Sequence, residues 1–283
     1  MDSEAKYAYT GEKVSLFRDL VETKPENALL FPLKSEMPTV TVVRIKGILS
    51  GILNTVFEFT ESLVAGKFTE DNLLYQLHAK LGSKARVLFF GDDIWTNQFG
   101  KWWTRYADWS SLDINDLDTL DQNVSSHVLS ELERGSDFDF MLVHMIGVDS
   151  AGHTFGSKHP AIERKLLETE KFIKKVTELM DDDTTLVVYG DHGMTEEGSH
   201  GGNSELEMRT AMFAYQNKPF PFAKKYHELH HHFGIVDNVI KQVDLAAIGA
   251  MLTNVPTPFS NLGIIHPAFA QTSDLQEVVG VMR

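Results

Sequence analysis

The chain has 283 residues, 42% hydrophobic and 23% charged, which suits one large α/β domain with ample core-forming material. Its formal net charge of −14 argues against a nucleic-acid partner, because phosphate backbones are held by clustered Lys and Arg. The absence of cysteine excludes disulfides and thiolate metal sites, while a phosphorylated substrate stays compatible because bound metal ions can supply positive charge locally.

No run approaches the roughly 18 apolar residues of a membrane span, and no signal peptide opens the chain. Residues 1–37 show no strong strand. A helix is expected near 41–53, weakened by Gly47 and Gly51. Leu73, Leu74, Leu77 and Leu81 share one face of a helix over 70–81. The apolar run 86–90 reads as a buried strand that ends at Gly91, Asp92 and Asp93. A helix is expected over 114–134; it contains a glycosylation sequon at Asn123, a triplet that also arises by chance. Residues 138–146 form a second apolar strand ending at Gly147. Pro160 opens a helix to Met180 with an apolar stripe that includes Ile162, Leu166, Ile173 and Val176. Strands are expected at 184–189 and 210–215, and a last helix over 237–252. Helices alternating with short apolar strands give an α/β fold, a mostly parallel sheet sandwiched by helices.

Three strands end in polar residues: Gly91-Asp92-Asp93, Gly147 to Asp149, and Gly190-Asp191-His192. Ligands of open α/β sheets bind beyond the carboxyl ends of the strands, so these acids converge on one rim. Asp149 and His153 stand four apart in D-x-x-G-H, and His200 lies between glycines. Oxygen and nitrogen donors without sulfur suit zinc or manganese. A single Asp-His pair after a strand is more often a turn and cap; two such pairs plus a glycine-flanked His favour a metal site. Asp92 and Asp93 read equally as turn caps or substrate contacts. His227, His230, His231 and His232 follow no strand and read as a solvated face, and His159 as a surface residue before a helix. Thr39 precedes, and Thr41 opens, the helix near 41–53. A Thr there is commonly only an N-cap, but a hydroxyl at a helix N-terminus, bound to a metal, is also a usable nucleophile.

P-T-x-T-x-x-R-x-K at 38–46, D-x-x-G-H at 149–153, G-D-H-G-M at 190–194 and G-x-H-G at 198–201 together resemble the alkaline phosphatase superfamily. GDDIW at 91–95 narrows the resemblance to the enzymes that add ethanolamine phosphate to glycosylphosphatidylinositol (GPI) precursors, over about residues 10–265. The resemblance implies an alkaline-phosphatase-like fold and two zinc ions, with manganese as the alternative. One ion would be held by Asp149, His153 and His200, the other by Asp191, His192 and the nucleophile Thr41, with Thr39 in reserve. A further metal-binding Asp belongs at the end of an apolar first strand. Asp2 stands at nearly the right distance, but the strand and the A-L-R that should follow it are missing. Arg44, Asp92 and Asp93 would face substrate.

The activity implied is transfer of ethanolamine phosphate from phosphatidylethanolamine, through a phosphorylated Thr, to the 6-hydroxyl of the third mannose of a GPI-precursor glycolipid. The second mannose, a metal-dependent phosphodiesterase reaction, or an inactive remnant are the alternatives. Residues 1–283 would be a single lumenal catalytic domain at the endoplasmic reticulum membrane, without the family's first strand and membrane spans, working with a small membrane partner subunit.

Overall fold

The computed structural model describes residues 14–53, 67–135, 137–224, 226 and 238–270. In chain order the elements are α1 (Leu16–Thr23), β1 (Ala28–Lys34), α2 (Thr41–Ser50), α3 (Leu73–Leu81), β2 (Val87–Asp92), α4 (Asp93–Phe99), β3 (Arg105–Trp109), α5 (Thr119–Glu133), β4 (Phe140–Val143), α6 (Gly147–Phe155), α7 (Pro160–Leu179), β5 (Thr185–Tyr189), α8 (Glu205–Met208), β6 (Arg209–Gln216), β7 (Ile240–Lys241) and α9 (Asp244–Leu252).

β2 lies between β3 and β4 and runs parallel to both. Every residue of β2 is buried, as a strand covered on both faces should be. Its side chains alternate between two cores. Val87 and Phe89 join Ile45, Leu49, Leu73, Leu77, Trp95 and Ala250 from α2, α3, α4 and α9. Leu88 and Phe90 join Leu120, Val124, Val128 and Val176 from α5 and α7. Period-two alternation thus clamps the sheet between helices, the expected sandwich.

The second sheet has the order β5-β6-β1-β7. β6 runs antiparallel to β5 and β1, and β7 runs parallel to β1. Three of the five strand pairings among the described residues are parallel, and both antiparallel ones involve β6. β4 and β5 are end strands of their sheets, and no backbone pairing joins them among the described residues. Leu186 of β5 nevertheless packs on the same core as Met141 and Val143 of β4. Their carboxyl ends lead to the two acid-histidine motifs.

Two expectations are corrected. Residues 28–34 are a strand, although none was expected before residue 37. Ala28, Leu29, Phe31 and Leu33 are buried while Leu30 and Pro32 face out. Pro32 masks that pattern; it is tolerated because β7 pairs only with Leu33 and Lys34, leaving one side of Pro32 without a ladder. The last helix begins at Asp244 rather than 237; Asp237 lies outside the described residues and Ile240–Lys241 is a strand too short to show a period. β3 and α4 add elements that the sequence did not announce.

Gly51 ends α2 in the left-handed region at φ 72°, its N–H bonded to Gly47 O at 2.7 Å. A Cβ there would run into the Asn261 side chain. Gly51→Ala is expected to cost about 1–3 kcal/mol through strained φ and that collision, read as a lower urea midpoint. An unchanged midpoint would show that the end of α2 relaxes freely.

Candidate active site

α6 presents Asp149 and His153 one turn apart, so the helix repeat itself puts both on one face. Its start is fixed from two other helices. Asp121 Oδ1 on α5 accepts from the backbone N–H of Ile146 at 3.1 Å and Gly147 at 3.2 Å, an acid on a helix N-terminus. Lys165 on α7, with 2% of its side chain exposed, lies 2.9 Å from Asp121 Oδ2. A Cβ at Gly147 would overlap both Lys165 and Asp121, so only Gly lets this clamp close. Asp118 and Glu168 complete the acid shell of Lys165 at 3.3 and 3.1 Å.

His200 comes from the glycine loop after β5. Its Nδ1 lies 2.7 Å from the Thr39 carbonyl oxygen. A carbonyl can only accept, so Nδ1 carries the proton and Nε2 is left with its lone pair. That Nε2 lies 2.9 Å from His153 Nε2 and 3.6 Å from Asp149 Oδ1, and His153 Nε2 lies 3.4 Å from Asp149 Oδ2. The three residues offer ligand atoms all within 4.8 Å of one another. Asp149 Oδ1 is buried with no hydrogen-bond partner among the described residues. An orphaned carboxylate oxygen facing two imidazoles is the donor set a divalent cation requires, so these residues fit a zinc-type ion.

A second group adjoins it. Thr41 opens α2, whose start has no side-chain cap. Its Oγ1 lies 3.2 Å from His192 Nε2. His192 Nδ1 lies 3.0 Å from the Gly193 carbonyl oxygen, which again fixes the proton on Nδ1 and frees Nε2. Asp191 Oδ2, 3.4 Å from His192 Nε2, is buried without a hydrogen-bond partner among the described residues. The His192 and His200 rings stack with centroids 3.9 Å apart, which places the two groups side by side. Thr39 is placed differently. It is fully buried, and its Oγ1 donates to Gly202 O and accepts from Gly201 N–H, both at 2.9 Å. It anchors the His200 loop.

Asp2 lies outside the described residues, as do His227, His230, His231 and His232. His159 caps α7 by accepting from Ala161 N–H and stacks on Phe155. Arg44, expected to face substrate, is buried, with Nη1 3.1 Å from Glu36 and 3.5 Å from Gln242 and with Nε and Nη2 lacking a hydrogen-bond partner among the described residues. Burial drives its pKa below the usual value, opposed by the charges of Glu36 and Asp191. Asp92 is also buried, and Asp93 heads α4, where burial and then the charges of Asp92 and Asp108 raise its carboxyl pKa. The partner of Asp92 is His144, which the sequence had left unmarked inside an apolar run. His144 Nδ1 lies 3.1 Å from Asp92 Oδ1. Burial opposes a charge on His144, but Asp92, with Asp191 and Asp149 behind it, outweighs that and pushes the pKa up to about 9.

Residues 53–243 match the family of type I phosphodiesterases and nucleotide pyrophosphatases. The chain belongs to this family. It is 34% identical over 266 residues to the human GPI ethanolamine phosphate transferase 3 catalytic subunit, an alignment that takes in 93% of this chain and 23% of that protein. The chain thus spans about a quarter of the length of that relative. The soluble domain of lipooligosaccharide phosphoethanolamine transferase A from Neisseria meningitidis superposes with a TM-score of 0.61 at 14% identity, over 95% of this chain and 88% of that one. An alkaline phosphatase superfamily protein from Vibrio parahaemolyticus gives a TM-score of 0.60 at 14% identity, over 90% of this chain and 64% of that one. The fold of this family member is therefore alkaline-phosphatase-like.

Lys165→Met leaves Asp121 buried beside an apolar group. It is expected to cost about 3–5 kcal/mol in urea unfolding, and Lys165→Met combined with Asp121→Leu is expected to recover part of it. A loss under about 1 kcal/mol in the single variant would show that water reaches Asp121.

Proposed function

We propose that residues 1–283 are a lumenal catalytic domain that transfers ethanolamine phosphate from phosphatidylethanolamine to the 6-hydroxyl of the third mannose of a GPI precursor. The observation that carries this reading is the hydroxyl of Thr41, 3.2 Å from His192 Nε2 and next to the Asp149, His153 and His200 cluster. The kinship with GPI ethanolamine phosphate transferases supports the choice of substrate. In this reading one zinc belongs to Asp149, His153 and His200, and a second to Asp191, His192 and Thr41. Bound metal supplies Lewis acidity and neutralises charge on the phosphoryl oxygens.

The chain's own residues do the rest. Thr41 Oγ forms the new bond to phosphorus as the phosphorus–oxygen bond to diacylglycerol breaks, and the threonine proton ends on the released glycerol hydroxyl. The mannose hydroxyl then displaces Thr41 from phosphorus and its proton returns to Thr41 Oγ. The helix N-terminus of α2 favours the anionic oxygen at Thr41. Placement at the endoplasmic reticulum membrane and cooperation with a membrane partner subunit belong to the same proposal.

The test is intact-protein mass spectrometry after incubation with zinc and phosphatidylethanolamine vesicles. The wild-type chain is expected to gain one ethanolamine phosphate, located on Thr41, and Thr41→Ala to gain none. Thr39→Ala keeps the adduct at lower yield and melts earlier, because the loop of His200 loses its anchor. An adduct on Thr39, or none on the wild type, overturns the reading. Product analysis with synthetic GPI mannosides separates the third mannose from the second, and water as acceptor would mark a phosphodiesterase.

A further inference from the structure

α8 is a single turn, and Glu207 within it is buried. Glu207 belongs to a capping box with Ser204, the S-x-x-E pattern that starts many helices. Ser204 Oγ accepts from Glu207 N–H at 3.3 Å, and Glu207 Oε2 accepts from Ser204 N–H at 3.0 Å and from its hydroxyl at 2.6 Å. Those bonds complete a cap. Glu207 makes two more. Its other carboxylate oxygen, Oε1, accepts from Gly202 N–H at 2.7 Å. Its backbone carbonyl accepts from Gly193 N–H at 2.6 Å.

The two glycines belong to different motifs. Gly193 follows His192, and its carbonyl oxygen receives the His192 Nδ1 proton. Gly202 stands two residues after His200, and its carbonyl oxygen accepts from Thr39. Both must be glycine for α8 to approach. A Cβ on Gly193 would strike the backbone oxygens of Leu206 and Arg209, and one on Gly202 would press into the Glu207 carboxylate. The turn is itself anchored, because Met208 O accepts from Ser35 N–H, just past β1, at 2.8 Å. Glu207 therefore holds the loop of His200 with its side chain and the turn of His192 with its main chain, both from one fixed point. A residue that only capped a short helix would account for the Ser204 bonds and leave those to Gly193 and Gly202 unexplained.

We infer that Glu207 is a positioning residue for both candidate metal groups: acting through Gly202 and Gly193, it sets the orientation and separation of His200 and His192. The inference rests on the reading of those groups as zinc sites. An outer partner of this kind leaves the ligands in the chain but decides how well they converge, and its loss costs roughly 10–100-fold in metal affinity.

Three variants separate positioning from capping. Ser204→Ala breaks the cap and leaves the Gly202 bond, Glu207→Ala breaks both, and Glu207→Gln keeps one acceptor oxygen. Capping alone requires Ser204→Ala and Glu207→Ala to behave alike. The first readout is histidine nitrogen NMR on the zinc-free full chain, at a pH where imidazoles are neutral. Wild type and Ser204→Ala are expected to show His192 and His200 protonated at Nδ1, whereas Glu207→Ala mixes the tautomers of His200, whose loop is released. Gly193→Ala, which pushes α8 off the His192 turn, is expected to shift the His200 signals in the wild type and to shift them less in Glu207→Ala, because Glu207 carries the coupling. The second readout is zinc affinity by competition with a coloured chelator. Glu207→Ala is expected to weaken both zinc equivalents about tenfold or more, Ser204→Ala less than about threefold, and Glu207→Gln to fall between them. Should Glu207→Ala fail to fold, Glu207→Gln takes its place against Ser204→Ala. Equal zinc losses in the Ser204 and Glu207 variants, an unchanged His200 tautomer in Glu207→Ala, or an undiminished Gly193→Ala effect in that background overturns the inference. The two readings fall separately. A wild type that binds no zinc removes the metal reading, while the zinc-free spectra still decide whether Glu207 orients the two imidazoles.

Discussion

Thr39 ties the segment ahead of α2 to the loop that carries His200, and the site depends on that tie. Its side chain takes and gives a hydrogen bond at Gly201 and Gly202, and its carbonyl receives the His200 Nδ1 proton. Because Thr39 is fully buried, breaking the set leaves polar groups unpaired at about 1–3 kcal/mol each. The same bonds decide chemistry: they choose the imidazole tautomer, aim Nε2 at His153 and Asp149, and deliver Thr41 beside His192. Nucleophile and ligand loop are one mechanical unit.

The other half of the site hangs on Asp121 and Lys165, which hold the first turn of α6 from beneath. The two supports differ in physics. The Thr39 set is neutral and joins two loop segments far apart in sequence, whereas the Asp121 pair is ionic, buried, and draws on α5 and α7. An ion pair so placed adds little net stability over a well-packed apolar pair, but it fixes direction, and α6 needs direction to present Asp149 and His153 together.

Much of this was legible in the sequence for one reason: the chemistry-bearing residues stand at strand-to-loop junctions, where an apolar run stops abruptly. Asp149, Asp191, His192 and His200 could be read there, and helical spacing joined His153 to Asp149. What stayed hidden is tertiary. Thr39 and Thr41 look alike in sequence; they part company because Gly202, 163 residues away, claims the first. Arg44 turned inward because Gln242 lies 198 residues further on. His144 sits in an apolar run that reads as strand, and only the neighbouring strand supplies Asp92. β1 was missed because Pro32 obscures an otherwise regular alternation.

The break between β4 and β5 has its own consequence for solvent access. Each strand carries one row of amide and carbonyl groups with no ladder partner among the described residues, and the two rows end beside the acids of the site. Residues of β5 are all half-buried, where those of β2 are all buried. Amide protons on these rows are therefore expected to trade with deuterium faster than those of β2. The strands beneath the candidate site are thus expected to be less protected than β2.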